Sequence, residues 1–142
     1  MEETQEKLLH RESVKIEIPT VSTPFEDIDP EVQLAVRSAA EKKGVDIRVL
    51  DLRQIASFTE FFVVASGTNQ RQVQAIADEI TEQLKKQLNS RPSRIEGYNA
   101  GEWVLLDFGD FIVHVFDKDS REFYDLERLW RDAQKVDLPA DL

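Results

Sequence analysis

The chain has no cysteine, which excludes disulfides, a thiolate nucleophile and a cysteine-held metal. Its longest uninterrupted apolar run is Phe61–Ala65, far short of the roughly twenty residues that a membrane helix needs. No basic segment leads into an apolar stretch at the N-terminus, so no secretory signal is expected. The first thirty residues are too rich in glutamate for an organellar transit peptide. A reducing cytoplasm is the expected setting. Positive charge is scarce too, with 18 Lys and Arg against 28 Asp and Glu, a net charge of −10. Nucleic acids are gripped by neutralising phosphates with Lys and Arg, so direct nucleic-acid binding is not expected. An acidic domain is better matched to a basic protein patch, although the same charge also serves solubility.

What remains is enough for one domain with one sizeable core. Residues 1–27 alternate charges with scattered Leu and Ile, broken by Pro19 and Pro24, and sustain no period; a flexible extension is expected. Within it, Val14–Ile18 could add a strand to a sheet edge. The ordered domain is expected over residues 28–135, with 136–142 as a tail. Asp29-Pro30 opens a helix with a cap and a first-turn proline, Val32, Ala35, Val36, Ala39 and Ala40 form its apolar stripe, and Gly44 marks its stop. Asp46–Leu52 and Phe61–Ala65 read as strands, the second buried on both faces. Thr68 or Asn69 caps a helix whose Val73, Ile76, Ala77, Ile80, Leu84 and Leu88 keep three- and four-residue spacing. Arg94–Tyr98 is a short strand, and Phe123, Leu126, Leu129 and Trp130 repeat like one face of a terminal helix. Strand–helix–strand from Phe61 to Tyr98 implies a crossover between parallel neighbours. The fold class is therefore α/β: a mixed sheet of about five strands with helices mainly on one face.

Trp103–Phe108 and Phe111–Phe116 are separated only by Gly109-Asp110, and a two-residue loop with glycine first marks a hairpin with a type II′ turn. The register then pairs Phe108 with Phe111, Leu106 with Val113, Leu105 with His114 and Trp103 with Phe116. One face is wholly apolar: Val104, Leu106, Phe108, Phe111, Val113 and Val115. The other carries Trp103, Leu105, Asp107, Ile112, His114 and Phe116, with no Lys or Arg between Trp103 and Phe116. That mixture suits a surface that docks another element of the chain, a partner or a substrate.

Catalytic chemistry is poorly supported. Ser66-Gly67-Thr68, between a strand and a helix, could meet a phosphate with backbone N–H groups. Metal-assisted phosphoryl transfer also needs two or three carboxylates at a strand end, and the hairpin supplies only Asp107. His114 lacks further metal ligands and a neighbouring Ser or Thr nucleophile. No enzymatic activity, no metal and no cofactor are expected. Trp103 is as suited to partner contact as to internal packing, while Trp130 is better explained by packing the last helix on the sheet.

The strand Phe61–Gly67 with Thr68-Asn69, the hairpin with its Gly-Asp and His114, and the ending from Tyr124 to Trp130 occur in the order that the ribosomal silencing factors, or Iojap-like proteins, share. From about Pro30 to Trp130 the chain resembles that family. The resemblance implies an α/β domain related to the nucleotidyltransferase fold. It also implies a function without catalysis. Such factors bind universal large-subunit protein fourteen at the face of the large ribosomal subunit that meets the small one, block joining, and lower translation when nutrients are short. By resemblance the contact residues are Trp103, Leu105, Asp107 and the segment from Tyr124 to Glu127, and the partner is a basic ribosomal protein. His114, on the same hairpin face, is a further contact candidate, its alternative being a hydrogen bond within the sheet face. Two other readings stay open: a nucleotidyltransferase-like enzyme using Ser66-Gly67-Thr68 and Asp107, and a homodimeric large-subunit assembly factor.

Overall fold

The computed structural model describes residues 3–11 and 18–142. Its elements are α1 (Glu3–Leu9), β1 (Thr23–Pro24), α2 (Pro30–Glu41), β2 (Val45–Asp51), β3 (Phe61–Gly67), α3 (Gln70–Leu88), β4 (Arg94–Glu96), β5 (Trp103–Asp107), β6 (Phe111–Asp117), α4 (Lys118–Tyr124), α5 (Leu126–Leu129) and β7 (Gln134–Asp137). One mixed sheet runs β1-β7-β2-β3-β6-β5-β4. Most of β3 is apolar, and all seven of its residues are buried between β2 and β6. It is the centre of the fold.

Two long helices are placed by their apolar stripes. Asn69 caps α3 by accepting from the Gln72 N–H at 2.9 Å, and Val73, Ile76, Ala77, Ile80 and Leu84 are buried. α2 begins at Pro30 after Asp29 and buries Val32, Ala35, Val36 and Ala39. Together they cover one sheet face, where Val49, Val63, Ala65, Val104, Leu106, Phe111, Val113 and Val115 form the main core. The hairpin face read as apolar in the sequence is this core face. Its register is also as the turn dictates: Trp103 opposes Phe116, Leu105 opposes His114 and Leu106 opposes Val113, with Gly109 at φ 88°.

Five expectations differ from the structure. The sheet has seven strands rather than about five, because the chain ends contribute two short ones. Thr23 pairs with Val136, and Gln134 and Lys135 pair with β2. The region expected to be a tail from residue 136 therefore holds a buried Val136 in a strand. In the region expected to be a flexible extension, Glu3–Leu9 is a docked helix and Phe25 is buried. The added strand sought at Val14–Ile18 falls largely on residues 12–17, outside the described residues. The chain crosses over from β3 through α3 to β4, but the parallel neighbour of β3 is β6, and β4 lies two strands further out. Finally, the last helix is broken: Asp125 adopts φ 50°, dividing α4 from α5, and Phe123 turns outward with 80% of its surface exposed.

Candidate interaction face

The second sheet face is not bare. Leu50, Leu52, Phe62, Val64, Trp103, Leu105, Ile112 and Phe116 meet Leu8 of α1, Leu126 of α5, and Trp130 and Ala133 in a second core. This corrects the expectation of an open mixed face. Three short segments, α1, α4 and α5, cover it; α1 shows no period in the sequence, and the single helix that the spacing from Phe123 to Trp130 suggests is broken at Asp125.

Trp103 is 4% exposed. Its ring stacks on Phe116 at 4.9 Å and meets Tyr124 at the same separation. Its indole Nε1–H donates to His114 Nδ1 at 3.1 Å. That bond fixes the tautomer: Nδ1 accepts, so the neutral imidazole carries its proton on Nε2. Nε2 has no hydrogen-bond partner among the described residues, and neither has Trp130 Nε1. Phe62 lies edge-on to both rings, 4.7 Å from His114 and 5.4 Å from Trp130. Full burial pushes the His114 pKa down to about 3. His114 is thus a neutral polar strut inside the fold.

Of the residues expected at a partner contact, Trp103, Leu105 and His114 are buried, whereas Asp107, Tyr124 and Glu127 are partly exposed. Asp107 ends β5, and its Oδ1 accepts from the Gly109 N–H at 2.8 Å, which pins the hairpin turn. Glu127 accepts from Arg121 Nε at 2.9 Å, and Arg121 Nη1 donates to Ser66 Oγ at 2.8 Å. The spacing of Phe123 from Leu126 and Trp130 reads as a core position rather than a contact residue, yet it is exposed. The positive φ at Asp125 that turns it outward leaves no mark in composition.

The phosphate-site alternative does not assemble. Ser66 pairs with Phe116, which opposes Trp103, whereas Asp107 opposes Ile112 at the other end of the same strands. Four residues of strand, about 13 Å, separate the two positions. At the α3 N-terminus, the Thr68 N–H and hydroxyl both donate to Gln72 Oε1, and the Gln72 N–H is held by Asn69. The donors that a phosphate would use are partly taken by the chain itself.

Beyond Trp130, the groove between α1 and the hairpin tip encloses about 560 Å³, lined by Leu8, Arg11, Phe58, Asp107, Ile112 and Trp130 among others. Arg11 spans its end: the guanidinium bonds Asp132 Oδ1 and Oδ2 at 2.7 and 2.8 Å, reaches the Leu129 carbonyl, and lies 4.1 Å over the Trp130 ring. The Arg11 hydrogen bonds hold the Asp132 carboxyl below its ordinary pKa.

The sequence profile of the family described as "ribosomal silencing factor during starvation" matches residues 25–142. The ribosomal silencing factor RsfS of Halalkalibacterium halodurans is 42% identical over 107 residues, covering 75% of this chain and 91% of that protein. A mouse relative named mitochondrial assembly of ribosomal large subunit protein 1 is 30% identical, over 70% of this chain and 45% of its own length. An X-ray crystal structure of a Chromobacterium violaceum protein superposes with a TM-score of 0.69 at 35% identity, covering 78% of this chain and 88% of that one.

Proposed function

The chain belongs to the ribosomal silencing factor family, and from that premise we propose that it binds the large ribosomal subunit through a basic ribosomal protein, universal large-subunit protein fourteen, at the intersubunit bridge. Occupying that position blocks joining of the small subunit and represses translation when nutrients are limiting. The action is steric, takes place in the cytoplasm and involves no catalysis. The observation that carries the reading is the family match across residues 25–142, which spans every element from α2 to β7. The net charge of −10 supports it, since complementary charge speeds encounter with a basic surface.

The contact surface centres on Tyr124 and Glu127 with the neighbouring Phe123, and extends along the hairpin toward Asp107 at its far end; Trp103, Leu105 and His114 hold that surface from beneath. Phe123 is the strongest candidate for an energetic anchor, being a large exposed aromatic among Asp119, Glu122 and Asp125. The test is co-sedimentation with separated subunits beside a subunit-joining assay. Binding to large but not small subunits, with joining inhibited, is the expected result. A protein that sediments with neither refutes the reading. Phe123→Ser and Asp107→Lys, each checked for an unchanged melt, locate the surface; full activity in both moves it elsewhere.

A further inference from the structure

α1 lies outside the family match, which begins at residue 25, yet it is seated on the second sheet face. Its contacts are specific. The Gln5 side chain donates to the Trp103 carbonyl at 2.7 Å, and the Gln5 backbone N–H donates to Glu96 Oε1 at 3.2 Å. The Arg94 Nη1 donates to Thr4 Oγ1 at 2.8 Å. Leu8 is buried against the aromatic cluster, and Arg11 closes on Asp132 and the Trp130 ring. Gln5 and Glu96 are both buried, as is the arginine–aspartate contact for the most part.

A helix of seven residues has no stability of its own in water, because nucleation outweighs so few hydrogen bonds. Its helicity therefore depends on being docked, and it leaves as a unit when its few anchors fail. What the face accepts is legible from its occupant: an amphipathic helical turn with a leucine, an amide and a terminal arginine. The receiving groups are the Trp103 carbonyl, two acids (Glu96 and Asp132) and the apolar lining of Ile112 and Trp130. A basic, leucine-bearing segment of a ribosomal protein offers the same chemistry.

We propose that the face formed by Trp103, Ile112 and Trp130 with Glu96 and Asp132 is a receiving groove for such a segment, and that α1 occupies it as an intramolecular competitor. The groove opens to the ribosomal partner only when α1 departs. This rests on the large-subunit reading above. Apparent affinity then scales with the fraction of molecules in which α1 is off.

The test uses the full chain with Leu8→Asp or Arg11→Ala, each of which loosens α1 from its own side, and Glu6→Ala on its solvent side as a control. Two readouts run together: trypsin cleavage after Lys7, which reports release of α1, and binding to isolated large subunits. Both loosening variants should be cut faster and should bind about tenfold tighter, while Glu6→Ala matches the parent. Faster cleavage with unchanged binding overturns the proposal and leaves the large-subunit reading intact. Weaker binding overturns it as well, by making α1 part of the contact surface. Unchanged cleavage in both variants means that α1 is not held by these anchors, which also overturns it. Absence of large-subunit binding in the parent and every variant refutes the ribosomal reading, and the proposal falls with it.

Discussion

Replacing His114 with leucine should flatten the dependence of stability on acid. His114 is fully buried, and burial lowers its pKa from 6.5 to about 3 in the folded chain. Above pH 6.5 the imidazole is neutral in both states and contributes no slope. As pH falls from there, the unfolded chain takes up a proton that the folded chain refuses. Stability is lost at ~1.4 kcal/mol per pH unit, reaching about 5 kcal/mol once the folded pKa is passed. That is comparable to the entire stability of many domains, roughly 5–15 kcal/mol. The measurement is a urea midpoint at about pH 7.5, 6 and 4.5, for parent and His114→Leu. The parent should lose about 2–3 kcal/mol between the outer points, and the variant only a small part of it. Asp51 and Asp132 also have lowered pKa values, but carboxyls normally near 3.8 add their loss only below that pH. The offset at neutral pH mixes two opposed effects: Trp103 loses its acceptor, and the unpartnered Nε2–H is removed. The slope alone decides. If both proteins lose stability equally over that range, His114 is not a buried neutral group, and the second core is wrongly described.

The remaining predictions test the fold and the surface. Gly97 and Gly109 both have positive φ, but a Cβ at Gly97 would stand 2.1 Å from the Trp103 carbonyl oxygen while one at Gly109 meets nothing within 4 Å. In chemical denaturation Gly97→Ala should therefore cost about 4 kcal/mol or more, and Gly109→Ala only about 1 kcal/mol. Val113→Asp places a carboxylate in a fully buried site on the main core face and should abolish the cooperative melt. Phe123→Ser should leave the melt within about 0.5 kcal/mol of the parent. It should nevertheless weaken co-sedimentation with large subunits by ~30-fold, the loss of an aromatic anchor contributing about 2 kcal/mol.

The parts of this fold that are legible in the sequence are those set by local rules. Gly109-Asp110 fixes the hairpin register, and period-two alternation then assigns each side chain of β5 and β6 to a face. The stripe of α3 declares itself over nineteen residues. What escaped was settled between distant segments. Thr23 and Val136 pair across most of the chain, in strands of two and four residues that no alternation could reveal. The second core is the instructive case. Trp103, Asp107 and His114 beside Leu105 and Phe116 read as a surface for docking, because a hairpin alone does not show what will lie on it. The covering pieces are Leu8, Leu126 and Trp130, from segments of seven residues or fewer and the turn that follows them. The mixed composition still had a physical meaning. Trp103 needs an acceptor for its indole N–H and finds it in His114, while its carbonyl and Glu96 need donors and find them in Gln5. A purely apolar face would have asked for any greasy cover. This one asks for a helix with an amide and an arginine beyond its end in fixed places, and such a demand can be met by a second chain as readily as by residues 4–11 of this one.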